Sequence, residues 1–277
     1  MTYKEYEPTY SLISEPKEEQ IKQLHWNIAI GLQEVDNLEP STYLLELADD
    51  NIAGDKSTED IEKLLDTYYK KQNLEDEKVH DKYECDKVST RIVKLIGSNT
   101  YSFYQGILKN IHKDLFKNIY KFAGEYRAHN ITKDEFILNK DTVKYYGADA
   151  IELVLENIFK EEETFDYTKL STEEQINHFA TLTSKIWHVH PFLEGNTRTV
   201  AVFMIKYLNN MGYSLTNDLF KNKSKYFRNA LVRSCYSRPL LKIYPTFEPL
   251  IKFYENLLLD KKHILKSRDL IVKELFP

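Results

Sequence analysis

The 277-residue sequence predicts an all-α fold with one short β-hairpin. It contains only eight glycines and eight prolines, and this scarcity of turn-forming residues favours helices. Apolar residues recur at helical spacing in most segments after residue 20. Residues 132–140 break this pattern, because β-branched and aromatic residues flank a turn-forming "NKD". We expect a β-hairpin there.

Composition excludes several classes of protein. The net charge is −5 and the isoelectric point is near 6.0, which argues against a strongly basic nucleic-acid binder. No apolar run approaches the length of a membrane span. Cys85 and Cys235 form no disulfide framework, and the N-terminus lacks the pattern of a signal peptide. These features predict a cytoplasmic protein that binds neither nucleic acid nor membrane.

Three units are expected along the chain: an N-terminal arm (1–20), a three-helix module (21–75) and a larger core with C-terminal helices (76–277). In the module, Ser57 and Asp60 have the spacing of a capping box at a helix start. Three short helices bury little surface alone, so we expect them to pack on the core. The charged run 73–87 fits either a linker or a solvated helix face.

The stretch "WHVHPFLEGNTRTVAVF", residues 187–203, connects two predicted helices. The first helix carries an apolar face, and the second is apolar almost all round and therefore buried. The connecting loop thus ends at the N-terminus of a buried helix. Free N–H groups and the positive end of the helix dipole make such a terminus a ready anion site.

Side chains in this loop predict phosphate chemistry. Gly195 would let backbone approach a ligand closely, Asn196 can donate from its amide, and Arg198 can grip phosphate oxygens as a fork. Glu194 supplies a hard oxygen ligand suited to Mg²⁺, and His190 is a natural proton acceptor near neutral pH. Together they supply a base, a metal ligand and an oxyanion cradle for nucleotidyl transfer.

Simpler interpretations exist for each residue taken alone. A histidine beside proline is often structural, and a glutamate near asparagine and arginine is often a solvated turn. His188 and His190 could suggest zinc, but the sequence has neither an H-E-x-x-H motif nor clustered cysteines.

Residues 190–198, "HPFLEGNTR", resemble the signature of Fic proteins, H-P-F-x-(D/E)-G-N-G-R-x-x-R. Residues 108–131 are similar to the opening helix and turn of a Fic core. Residues 226–233, "YFRNALVR", resemble the later helix beside the nucleotide pocket. The resemblance covers roughly residues 76–260 and implies the mostly helical Fic fold.

The resemblance implies an adenylyltransferase, which moves AMP from ATP to a Tyr, Thr or Ser hydroxyl of a target protein. His190 would accept the hydroxyl proton and Glu194 would hold Mg²⁺ on the ATP phosphates. The remaining nucleotide-binding residues would be Gly195, Asn196, Thr197, Arg198 and Asn229.

The predicted hairpin resembles the Fic flap, which binds the target segment by β-strand addition. Lys133 and Phe136 are its expected target-binding side chains, although Phe136 could equally be a core residue. Self-modification is also expected, while self-association stays open.

Two positions depart from the signature. Thr197 replaces its second glycine and adds a side chain to the cradle, and Ala201 replaces its final arginine. In the family this arginine binds the γ-phosphate and pairs with an inhibitory glutamate.

Residues 21–72 resemble the small antitoxin module of Fic proteins, which presents (S/T)-x-x-x-E-(G/N). Here Leu32, Asp36 and Asn37 stand at the Ser/Thr, Glu and Gly/Asn positions. Because Ala201 offers no charge, we expect Asp36 to turn to solvent or to a backbone N–H, and its replacement by alanine to raise activity less than about tenfold. We favour the interpretation that this segment is now only a packing helix.

Two rival functions stay open. The same fold could use another phosphate-containing donor or remove AMP, or the core could be a weakly active protein-interaction module. Nucleotide binding and labelled AMP transfer distinguish these possibilities.

Overall fold

A computed structural model describes residues 17–213, 215 and 217–276. Residues 1–16, most of the predicted arm, lie outside the described residues, whereas residues 18–20 begin the first helix. Within the described part of the chain, no helix combines the length and apolarity needed to cross a membrane.

Helices dominate the fold, as the sequence predicts. The described residues form ten α-helices, in chain order α1 Glu18–Gly31, α2 Thr42–Ala53, α3 Thr58–Tyr69, α4 Glu77–Ile96, α5 Ile107–Phe116, α6 Ile151–Glu163, α7 Thr172–Val189, α8 Asn196–Asn210, α9 Leu219–Cys235 and α10 Glu248–Leu259. A 3₁₀ helix, Leu32–Asp36, continues directly from α1.

The predicted three-helix module corresponds to α1, α2 and α3. Ser57 accepts from the Asp60 N–H while the Asp60 carboxylate accepts from Ser57, so the expected capping box is present. Helix α1 packs against α4 and α9, and Trp26 and Leu32 belong to the same apolar core as α7 and α8. The module is therefore built onto the core and shares its buried surface.

The charged run before the core is mainly helix. Residues 77–87 form the first half of α4, so the linker alternative is wrong for them. Their charges are partly buried: Asp86 accepts hydrogen bonds from Ser41 and Tyr69, and Lys87 donates to Asp66. These bonds tie the module to α4.

Helix α8 lies at the centre of the molecule. Every residue from Asn196 to Leu208 is buried, as its all-round apolar pattern predicts. The loop from residue 190 to residue 195, which we call the catalytic loop after the role that the sequence predicts for it, is thus held between two core helices.

The predicted β-hairpin is not formed. Among the described residues of this segment there is no strand, and Phe136–Leu138 form a short 3₁₀ helix. The Glu135 N–H donates to the Asp141 carbonyl at 3.0 Å, so the segment still closes on itself. Asn139 and Lys140 both have left-handed φ angles and replace a regular ladder by a wider turn. We call residues 132–142 the flap loop.

Candidate active site

Two residues with positive φ shape the catalytic loop. His190 ends α7 with φ 50°, and Gly195 begins α8 with φ 77°. A Cβ on Gly195 would lie 2.4 Å from the Phe116 ring. This glycine is therefore required by the left-handed turn and by Phe116, and not only by a ligand as the sequence suggests.

The His190 ring is enclosed by aromatic side chains. It stacks on Tyr145 with centroids 4.0 Å apart and meets Trp187 edge-on at 5.1 Å. Its Nδ1 is buried and has no hydrogen-bond partner among the described residues. Burial, with the nearby charges of Lys133 and Arg228, lowers the pKa of His190 well below its ordinary value. His190 is therefore neutral at physiological pH, as a general base must be.

The N-terminus of α8 lies next to this histidine, but two of its side chains are already engaged. Asn196 accepts from the Phe192 N–H and donates to the Phe192 carbonyl, and Thr197 accepts from the Trp187 indole N–H. Both side chains shape the loop in this state, which corrects the expectation of a free Asn196 amide. Backbone N–H groups at the helix start are the remaining donors of an anion cradle.

Arg198 is completely buried and is surrounded by carboxylate and amide oxygens. Its Nε lies 2.9 Å from Asp36 Oδ2, although the N–H does not point along this line, so the contact is an ion pair rather than a hydrogen bond. Its other nitrogens donate to Gln33 at 3.0 Å and Glu84 at 2.7 Å. Burial acts to lower the pKa of the guanidinium, but Asp36, Tyr120 and Glu84 outweigh it and raise the pKa.

The Asp36–Arg198 pair overturns the expected pose of Asp36. Ala201 is buried and offers no charge, as the sequence indicates. The carboxylate nevertheless finds a cation one helical turn earlier, at Arg198. Leu32 is fully buried in the core, and Asn37 ends the 3₁₀ helix in a left-handed conformation. The segment is therefore more than a packing helix, because it places a charge on the predicted phosphate-binding arginine.

Glu194 is only partly buried and pairs with Lys133 of the flap loop. Lys133 Nζ lies 3.0 Å from Glu194 Oε1 and 4.0 Å from Asp36 Oδ1. Among the described residues, no cluster of three or more His, Cys, Asp or Glu side chains could hold a metal. A single carboxylate still fits Mg²⁺ that is shared with substrate phosphates, provided that Lys133 releases Glu194.

The flap loop is anchored at both legs. Arg228 of α9 forms a two-pronged ion pair with the buried Glu135, and Asp141 accepts from Tyr236 at 2.6 Å. Phe136, at the tip, is 79% exposed, so the core alternative for this residue is wrong. Asn229 follows Arg228 on α9 and is half-buried.

Sequence reasoning missed several residues that act on the site. Glu84 and Gln33 reach Arg198 from α4 and from the 3₁₀ helix, and Arg228 holds the flap loop. The residues that they contact are far away in the sequence, so the periodicity of apolar residues cannot predict these contacts. His112 and Arg127 hydrogen-bond to the backbone carbonyls of Glu194 and His190. Both lie within residues 108–131, whose resemblance to a Fic core could have drawn attention to them.

The predicted cradle is closed in this state. His190 is 4% exposed, Asn196 3%, Thr197 6% and Arg198 0%. The 3₁₀ helix Leu32–Asp36 packs against α8 and covers its first turn. The same segment places Asp36 against Arg198, so a phosphate group and Asp36 would compete for this guanidinium.

Comparisons with known proteins agree with this geometry. Residues 102–208 match the family model described as the Fic/DOC family, and a search of curated proteins gives no match. The BepC protein of Bartonella tribocorum, solved with bound AMPPNP, has a similar fold at 19% identity. The similarity covers 64% of this chain and 85% of that chain, with a TM-score of 0.51.

The FIC domain of the Bep8 protein from Bartonella sp. 1-1C is similar at 20% identity, with a TM-score of 0.50 over 65% of this chain and 85% of that chain. At these identities the solved structures establish the fold alone. The matched segment contains the catalytic loop, α5, α7 and most of α8. The family match therefore covers residues 102–208, less than half of the chain, and the solved Bartonella domains agree with it in fold.

Proposed function

We propose that this protein is an adenylyltransferase that moves AMP from ATP to a Tyr, Thr or Ser hydroxyl of a protein, including its own chain. One observation carries the proposal: a buried, neutral histidine lies in the same short loop as Glu194, directly before the N-terminus of α8 and Arg198. The AMPPNP bound by the Bartonella tribocorum protein of the same fold supports a nucleotide as the ligand.

In the proposed reaction, His190 accepts the proton of the target hydroxyl. The hydroxyl oxygen then bonds to the α-phosphorus of ATP, the bond to the β-phosphate bridging oxygen breaks, and pyrophosphate leaves. Backbone N–H groups at the start of α8 and the guanidinium of Arg198 stabilise the phosphate charge. Glu194 would hold Mg²⁺, which neutralises charge on the ATP phosphates when it is bound.

Residues 21–75 are proposed to regulate this reaction as one unit. Asp36 keeps Arg198 from phosphate, and the 3₁₀ helix covers the start of α8. Lys133 occupies the Glu194 carboxylate at the same time. Activation therefore requires two ion pairs to open, one on each side of the phosphate cradle.

We also propose a cytoplasmic location for the protein. The two cysteines, Cys85 and Cys235, are buried and free, which supports a reducing compartment.

Incubation with ATP and Mg²⁺ followed by intact-mass measurement tests the reaction class. We expect a mass gain of one adenylyl group in the wild type and in Asp36→Ala, and none in His190→Ala. If ATP gives no mass gain but a parallel incubation with another nucleotide does, another phosphate-containing donor replaces ATP. Absence of any gain in Asp36→Ala, together with no binding of labelled ATP, would favour an interaction module.

A further inference from the structure

We propose that His112 and Arg127 are positioning residues that hold the two ends of the catalytic loop, and hence the reacting groups of the proposed transfer. Neither side chain belongs to the loop. His112 lies on α5 and Arg127 follows the turn after it, so one segment of the chain would align the whole site.

Arg127 anchors the end of the loop that carries His190. Its side chain is buried, and Nε donates to the His190 carbonyl at 2.8 Å. Nη2 donates to the carbonyls of Val189 and Tyr146, and Nη1 to that of His129. The backbone N–H of Arg127 donates to the Pro191 carbonyl at 2.8 Å.

Carbonyl oxygens alone hold this guanidinium, since no carboxylate lies within ion-pair distance of Arg127 among the described residues. Two of these carbonyls belong to the C-terminal end of α7, where unpaired oxygens give the helix dipole its negative pole. A planar fork with five N–H donors can bond several carbonyls at once, and a lysine ammonium cannot reproduce that arrangement. The geometry therefore depends on arginine and not merely on a positive charge.

His112 anchors the other end of the loop. Its Nδ1 accepts from the Gly124 N–H at 2.8 Å, so the proton of the neutral ring lies on Nε2, which donates to the Glu194 carbonyl at 3.0 Å. The ring also stacks on Phe192 with centroids 3.8 Å apart and planes 12° apart. Burial agrees with this neutral form, because it lowers the pKa of His112 to about 4.

The two anchors fix both reacting ends of the loop relative to each other. Arg127 sets the left-handed turn that aims the His190 ring, and His112 sets the peptide between Glu194 and Gly195, where α8 begins. A displacement of about 1 Å between a base and its substrate can cost about 100-fold in rate. These residues are therefore expected to act on the chemical step rather than on nucleotide affinity.

Three variants test the proposal: Arg127→Lys keeps the charge but loses the fork, His112→Phe keeps the stacking ring but loses both hydrogen bonds, and Arg268→Lys is the control. The Arg268 side chain is 75% exposed, and its ion pair is with the neighbouring Asp269 rather than with a residue of the site. Each protein is labelled with ¹⁵N-histidine, and the His190 ring signals are identified by their absence in His190→Ala. AMP transfer is measured in parallel as kcat and KM for ATP.

In Arg127→Lys and His112→Phe we expect the His190 ring signals to shift or broaden, and kcat to fall about 10- to 100-fold while KM changes less than about threefold. Arg268→Lys should match the wild type in both measurements. Unchanged His190 signals and unchanged kcat in either folded site variant would overturn the role of that residue. If Arg127→Lys does not fold, His112→Phe decides whether the loop is held from this segment.

The readouts also separate this inference from the proposed function. If neither the wild type nor Asp36→Ala transfers AMP, the proposed function fails, but the ring signals of His190 still report whether Arg127 and His112 position it. If the wild type transfers AMP and the signals do not respond, only the positioning proposal fails.

Discussion

Replacing Asp36 by alanine should increase the proposed AMP transfer by freeing Arg198. The pair is buried on the arginine side, with Arg198 0% and Asp36 18% exposed. Breaking a fully buried ion pair costs about 3–5 kcal/mol. Here Glu84 and Gln33 still bind Arg198 after the substitution, and Asp36 is partly solvated. We therefore expect loss of the pair to destabilise the closed state of the cradle by about 2 kcal/mol.

That free energy corresponds to about a 30-fold shift of the equilibrium between the closed state and the open state, in which Arg198 is free of Asp36. We therefore expect the initial rate of self-modification at subsaturating ATP to rise about 10- to 100-fold in Asp36→Ala, with a parallel gain in affinity for a fluorescent ATP analogue. This expectation replaces the smaller effect inferred from the sequence, because the structure gives Asp36 a cation.

Rates should be compared at equal folded fraction, because the pair also stabilises the native state and its loss can lower the fraction of folded protein. Glu39→Ala removes a carboxylate from an exposed position three residues away and serves as the matched control, with no expected change. A rise of less than about threefold in Asp36→Ala would refute the reasoning. Such a result would mean that Glu84 alone holds Arg198, or that the cradle opens without breaking the pair.

Three further outcomes are expected. His190→Ala should lower AMP transfer at least about 100-fold, the size of a general-base contribution, while circular dichroism stays that of the wild type. Glu194→Ala, or EDTA added to the wild type, should each lower transfer at least about 100-fold; equal rates with and without EDTA would remove the metal from this site. The pKa of His112 falls from 6.5 to about 4 on folding, so the unfolded chain takes up a proton in this window while the folded protein does not. The free energy of unfolding should therefore fall by about 2 kcal/mol more between about pH 7 and about pH 5 in the wild type than in His112→Phe, as measured by urea unfolding; identical pH slopes would show that His112 is not neutral in the fold.

Local patterns in the sequence were sufficient for the helices. The period of apolar residues predicts α7 and α8, the all-round apolar pattern predicts the burial of α8, and Ser57 with Asp60 predicts the start of α3. Each of these features depends on residues within a few positions of one another, so the sequence displays it directly.

Tertiary structure decided which charges meet. Asp36 and Arg198 are distant in the chain, and only the packing of the 3₁₀ helix Leu32–Asp36 against α8 brings them within 2.9 Å. Arg198 is fully buried, and carboxylates beside a buried guanidinium offset the cost of removing its charge from water. Asp36 supplies one of these carboxylates and Glu84 the other, a pairing that the sequence alone does not suggest.

Tertiary contacts also determined the conformation of the flap loop. Its β-branched and aromatic residues favour a hairpin locally, but Glu135 is drawn to Arg228 and Asp141 to Tyr236. These anchors fix each leg against α9 and the segment after it, while Asn139 and Lys140 widen the turn. Strand propensity is weak compared with such buried, charge-assisted contacts, and those contacts exist only once the helices have packed.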